Sequence, residues 1–151
     1  MRLPALPTVL FADASEDYRA MARDALLEGR NATDLRLATD GRDLLDYLRR
    51  EGRWADAVAP RPALIVLDAE LPGEPGGLEA IKAVKADPAF KRIPIVALGA
   101  DDDPATIDGA YEAGANTYFV KPVTFLALVK LVKVFAEYWL QTAELPPGEA
   151  A

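Results

Sequence analysis

Asp68 follows the apolar run Leu64-Ile65-Val66-Leu67, with Pro72 and Gly73 shortly after it. An acid so placed belongs at the carboxyl end of a buried strand, on the edge where open α/β sheets bind their ligands. Asp13 follows a second such run, Thr8-Val9-Leu10-Phe11-Ala12, and Lys121 follows a third, Tyr118-Phe119-Val120. Two carboxylates and an ammonium leaving three strands at one edge would form an anionic pocket with a basic counterweight. Carboxylates brought within a few ångströms repel, so one takes a proton or a cation sits between them. The chain contains no histidine and no cysteine, so a bound metal must be a hard, oxygen-preferring cation such as Mg2+. Asp13 and Asp68 are the expected ligands, helped by the backbone carbonyl of Glu70. Asp68 is then a nucleophile toward phosphorus, and Lys121 a partner for phosphoryl oxygens. Pro122 is expected to aim Lys121 into the pocket through a bend, with a cis bond.

The elements that must position these groups alternate along the chain. Thr8–Ala12 reads as a strand, and Ser15 opens a helix with Glu16 and Asp17 in its first turn and Gly29 near its end. Leu35–Ala38 alternates as a strand does. Asp40 caps a helix carrying Leu44, Leu45 and Leu48, which stops at Gly52. Residues 53–62 read as a long loop. Ala63–Leu67 is the central strand. Gly76 and Gly77 precede a helix with Leu78, Ile81 and Val84 on one face, closed by Asp87-Pro88. Ile93–Leu98 is the next strand, with Pro94 tolerable at its start. Asp103-Pro104 starts a helix that ends at Gly114. Asn116–Val120 is the last strand, and Thr124 caps a final helix running to about Leu140. Five strand–helix pairs imply a doubly wound α/β fold, the flavodoxin-like (βα)5 type with strand order 2-1-3-4-5. Its switch point lies between strands 1 and 3, which end at Asp13 and Asp68.

Length and charge narrow the function. The 151 residues fit one domain, over 1–141, with a loosely ordered tail over 142–151. A net charge of −7 opposes binding to a phosphate backbone. No apolar run approaches membrane-spanning length and no secretion signal opens the chain, so a cytoplasmic protein is expected. Without histidine or cysteine, Ser–His and Cys–His catalysis and thiol chemistry are excluded.

The chain resembles a receiver domain of a two-component response regulator from about Thr8 to Leu140. The phosphoacceptor matches Asp68 in Leu-Ile-Val-Leu-Asp, the metal-binding acid matches Asp13, the invariant lysine matches Lys121 in Tyr-Phe-Val-Lys-Pro, and the aromatic switch matches Tyr118. A narrower likeness is to stand-alone receivers that partner phytochrome-type light-sensing kinases. It rests on the Arg53–Pro62 loop, the approach Lys91-Arg92-Ile93-Pro94, and the ending Glu137-Tyr138-Trp139-Leu140 with Leu145-Pro146. The resemblance implies a signalling protein, not an enzyme, phosphorylated at Asp68 by a histidine kinase with Mg2+. Two positions depart from it. The first acid of the pair after strand 1 is Ala12, which should weaken metal binding. The hydroxyl residue ending strand 4 is Gly99, which removes a hydrogen bond to the phosphoryl group and should weaken the coupling of phosphorylation to Tyr118. Those departures keep open a degenerate receiver that takes no phosphate. A Mg2+-dependent phosphohydrolase of the haloacid-dehalogenase type is a further alternative, although it wants an aspartate where Glu70 stands. Glu16 is a candidate to replace the missing acid, and Asp101-Asp102-Asp103 reads as a solvated loop with one cap.

The last helix is apolar nearly all round, which one sheet cannot cover. A homodimer is expected to bury it, through Phe125, Leu128, Val132, Phe135 and Trp139.

Overall fold

The computed structural model describes residues 6–29 and 32–147. Five strands, β1 (Thr8–Ala12), β2 (Asp34–Ala38), β3 (Leu64–Asp68), β4 (Ile95–Gly99) and β5 (Thr117–Val120), form one parallel sheet in the order β2-β1-β3-β4-β5. The helices are α1 (Glu16–Glu28), α2 (Gly41–Arg49), α3 (Gly77–Ala86), α4 (Pro104–Ala113) and α5 (Phe125–Ala136). The expected order and alternation are those observed.

Alternate residues of each inner strand feed opposite layers, as the period-two geometry of a strand requires. Leu10, Ile65, Leu67, Ile95 and Ala97 meet α2, α3 and α4 residues such as Leu44, Ile81, Val84 and Ala110. Val9, Phe11, Leu64, Val66, Val96 and Leu98 meet α1 and α5 through Ala22, Leu26, Leu128, Val132 and Phe135. This double coverage is why the strands read as continuous apolar runs and not as alternating ones.

The capping residues act as their types dictate. Ser15 accepts from Tyr18 N–H, Asp40 from Asp43 N–H, Asp103 from Ala105 N–H and Thr124 from Ala127 N–H. Several strand ends shift by one residue, and three boundaries differ from expectation by more. α2 stops at Arg49, because Arg50 itself takes the left-handed conformation at φ 57°, and Gly52–Trp54 form a 3-10 turn. β4 starts at Ile95, whose N–H is bound by Asn116 Oδ1 at 2.9 Å. α5 ends at Ala136 and widens into a π-helical segment, Glu137–Thr142.

The residues expected to form a dimer face on α5 need correction. Leu128, Val132 and Phe135 are buried in the protein's own core, and Trp139 is half-buried against it. The second side of α5 is covered by α1, which shares the same face of the sheet. Among the five residues expected at a dimer interface only Phe125 is exposed. Of the tail, Leu145 and Pro146 line a cavity of about 270 Å³ with Leu6, Thr8, Pro60 and Ala63, at the end of the sheet opposite Asp68; residues 148–151 lie outside the described residues.

Candidate functional site

Register brings the charged residues to one edge. Ala12 pairs with Leu67, so Asp13 and Asp68 stand one residue further on adjacent strands. Gly99 pairs with Val120, which puts Lys121 at the same edge, two strands from Asp68. A strand spacing of about 4.8 Å makes that a span only a long side chain can cross. Lys121 Nζ crosses it, lying 2.9 Å from Asp68 Oδ2 and 2.6 Å from Asp13 Oδ2.

Each carboxylate is oriented by the chain that follows it. Asp13 Oδ1 accepts from Ser15 N–H at 2.8 Å, and Asp68 Oδ1 accepts from Glu70 N–H at 2.8 Å. Asp13 is almost wholly buried, whereas Asp68 keeps a solvent-facing side. Burial pulls the Lys121 pKa down, but its polar contacts with Asp13 and Asp68, an ion pair to the first and a hydrogen bond to the second, and the charges of both outweigh that, so the net shift is upward. The pocket is an acid pair clamped by a permanent cation.

The turn after Asp68 is set by close backbone packing. A Cβ on Gly77 would run into the Ala69 carbonyl and lie 2.7 Å from Asp68 O. Only glycine lets the start of α3 approach the loop after Asp68 so closely.

The donors fit a hard divalent cation. Asp13 Oδ2 is buried with no well-aligned hydrogen-bond donor, its contact with Lys121 being ionic. That is an oxygen with a lone pair to give, beside a second carboxylate. No cluster of three acidic side chains occurs among the described residues, so further ligands would be backbone oxygens, such as the Glu70 carbonyl, and water. The Glu70 side chain is exposed.

The sequence matches the response regulator receiver domain over residues 9–133. The chain belongs to that family. The response regulator Rcp1 of Synechocystis sp. is 30% identical over 138 residues, 91% of either chain. The phosphorylated cyanobacterial phytochrome response regulator RcpA superposes with a TM-score of 0.84 at 32% identity, over 95% of this chain and 100% of that one. RPA3017, a response regulator in red light signaling of R. palustris, gives 0.85 at 30% identity, over 94% and 99%. The narrower likeness to phytochrome-associated receivers therefore has independent support across the whole chain.

Within this receiver, two expectations are corrected and two residues, Tyr18 and Arg19, join the site. Among the described residues the cis peptide bond is Glu74–Pro75, so Lys121–Pro122 is trans. Lys121 is placed instead by the end of β5, its N–H donating to Gly99 O at 2.7 Å, with the Pro122 carbonyl held by Tyr18. Glu16 is exposed and does not replace the acid absent at Ala12. At Gly99 a Cβ would collide with the Tyr118 phenol, whose hydroxyl donates to Asp101 O at 2.6 Å. Tyr118 therefore lies over the glycine, in space a larger residue would fill.

Tyr18 joins the site without any motif to mark it. Its ring lies 4.1 Å from Lys121 Nζ. The available signal was positional: it is the third residue of α1, directly over the strand edge that carries Asp13. Arg19, also unmarked, donates to Asp13 O at 2.7 Å.

Proposed function

We propose that Asp68 accepts a phosphoryl group from a phosphohistidine of a phytochrome-type sensor kinase, and that the phosphorylated receiver signals through protein contacts. The observation that carries this reading is the bridge of Lys121 Nζ between Asp68 and Asp13. Asp68 Oδ2 attacks phosphorus, the nitrogen–phosphorus bond breaks, and the imidazole leaves with its electron pair and takes a proton from water. Lys121 follows the transferred group, which brings more negative charge than the carboxylate it replaces. Asp13 keeps the ammonium and the incoming group on one side of the pocket. Mg2+, held by Asp13, Asp68 and the Glu70 carbonyl, would neutralise charge gathering on the phosphoryl oxygens. Rcp1 has been described in a Mn2+-bound form, which supports a divalent site of this kind.

Acetyl phosphate with Mg2+, followed by intact mass, tests the reading. Wild type should gain about 80 Da, the mass of one HPO3 group, and Asp68→Asn should gain nothing. Unphosphorylated wild type would favour an interaction module, for which Ala12 speaks. Sustained hydrolysis of phosphomonoesters would favour a hydrolase.

A second copy of the chain is the proposed partner for the outward side of α5. Leu126, Val134 and Tyr138 are exposed there, with Val123 just before the helix, an apolar surface a receiver can bury by self-association. Sedimentation should show a dimer that Leu126→Glu with Tyr138→Lys converts to monomer. No helix among the described residues is long and apolar enough to cross a membrane.

A further inference from the structure

Tyr18 touches both Lys121 and the residue that follows it. The ring face lies 4.1 Å from the ammonium nitrogen, and the hydroxyl donates a 2.8 Å hydrogen bond to the carbonyl of Pro122, the next residue. The ring is itself fixed. It stacks on Phe11 of β1 with centroids 6.2 Å apart, and its backbone N–H is bound by the cap Ser15. Burial, then the charges of Asp13 and Asp68, raise the phenol's pKa well above its ordinary value, so the hydroxyl stays a donor.

A lysine is a flexible tether for a point charge. Aimed at two carboxylates near the surface, it can leave for water unless something else holds it. An aromatic face attracts the cation without demanding one direction, so the ammonium can shift between oxygens and stay over the ring. We infer that Tyr18 is a positioning residue, which holds Lys121 between Asp13 and Asp68 as a resident competitor of the divalent cation and a ready partner for the phosphoryl oxygens. The second half of that assignment rests on the acceptor role of Asp68; the first does not. The two halves have opposite signs. Loosening Lys121 frees the carboxylates for metal and leaves an arriving phosphoryl group less well countered.

That opposition supplies the test, using the full chain with Tyr18→Phe and Tyr18→Leu. Titration with Mg2+ alone should show Tyr18→Leu binding about threefold to tenfold more tightly, the span expected for a partly buried cation–π contact. Phosphorylation by acetyl phosphate at saturating Mg2+ should slow by a similar factor. The Lys121 side-chain proton signals, displaced by the ring in wild type and Tyr18→Phe, should return to ordinary lysine positions in Tyr18→Leu. Tyr18→Phe keeps the ring and fold, loses only the bond to Pro122, and should shift the Mg2+ affinity in the same direction by less. Introducing Tyr18→Leu into Lys121→Met should leave the Mg2+ affinity unchanged. Equal or weaker Mg2+ binding in a folded Tyr18→Leu protein overturns the assignment, as does an effect that survives without Lys121. Should wild type take no phosphate, the acceptor role falls by itself and the Mg2+ titration still decides the Tyr18 assignment.

Discussion

Lys121 and Asp43 show how one side chain can stabilise this receiver in two different ways. Replacing Lys121 by methionine leaves Asp13 and Asp68 facing each other with no cation. Removing one partner of a fully buried pair costs about 3–5 kcal/mol; these groups keep some solvent contact, so about 2 kcal/mol is expected. Added Mg2+ should restore part of that loss in a urea titration, and a variant indifferent to Mg2+ would mean the carboxylates share no metal site. The raised Lys121 pKa gives a sign as well. Its stabilisation is complete below the ordinary lysine value of about 10.4 and disappears as pH rises through the higher folded value. Asp43 behaves oppositely. Burial pushes its pKa up, but Arg53, the Thr39 N–H and the Trp54 indole outweigh burial and hold it low. Arg53 approaches at 2.7 Å and Trp54 Nε1 at 2.9 Å. Its stabilisation is therefore present above the ordinary carboxylate value of about 3.9 and is lost as pH falls through the lower folded value. Asp43→Asn should cost about 2 kcal/mol at pH 7, as for hydrogen bonds to a charged group. The gap between variant and wild type in urea midpoint should shrink below pH 4; a gap constant with pH would show that the charge is not what stabilises.

At the scale of elements, the same network explains what the sequence did and did not disclose. The strands were legible because burial on both faces demands unbroken apolar runs such as Leu64–Leu67. Helix starts were legible because Ser15, Asp40, Asp103 and Thr124 each offer an oxygen at the right place. The segment after α2 was not, because long-range contacts fix it. Asp43 of α2 pulls in Arg53 and Trp54, Trp54 packs edge-on against Tyr47, and Tyr47 donates to the Pro60 carbonyl at 2.7 Å. Nothing in the spacing of those residues marks them as partners. The last helix was misjudged for a related reason: a count of apolar residues does not say that α1 will lie beside α5. Mutations should separate the two sides of that helix. Leu128→Ala, in the core, should cost about 2–5 kcal/mol, while Leu126→Ala should change monomer stability by less than about 0.5 kcal/mol, both read from urea unfolding at a concentration below self-association. Equal costs would refute the division of faces.

Over the whole molecule, convergence of Asp13, Asp68 and Lys121 was legible because parallel topology forces consecutive strand ends to one edge. The state of the far side of that edge was not, because it depends on which of two neighbours occupies one volume. Gly99 ends β4, and Tyr118 pairs two residues back on β5, opposite Ala97. The Tyr118 phenol fills the space beside Gly99 and bonds to the Asp101 carbonyl. A switch needs two positions of comparable free energy. Here the inner position already has its hydrogen bond and no competing side chain, so filling Asp68 has little left to shift. Tyr118 ring signals in the NMR spectrum of wild type should therefore move little when a phosphate analogue and Mg2+ are added. Gly99→Thr should reverse this. Its Cβ would collide with the phenol, expelling Tyr118 from the pocket edge in the free protein, and its hydroxyl would offer the analogue a donor. Drawing that hydroxyl toward Asp68 reopens part of the inner space, so Tyr118 in the variant should respond to the analogue. A large Tyr118 response in wild type, or none in Gly99→Thr that binds the analogue, would show that the glycine does not set the position of the aromatic ring.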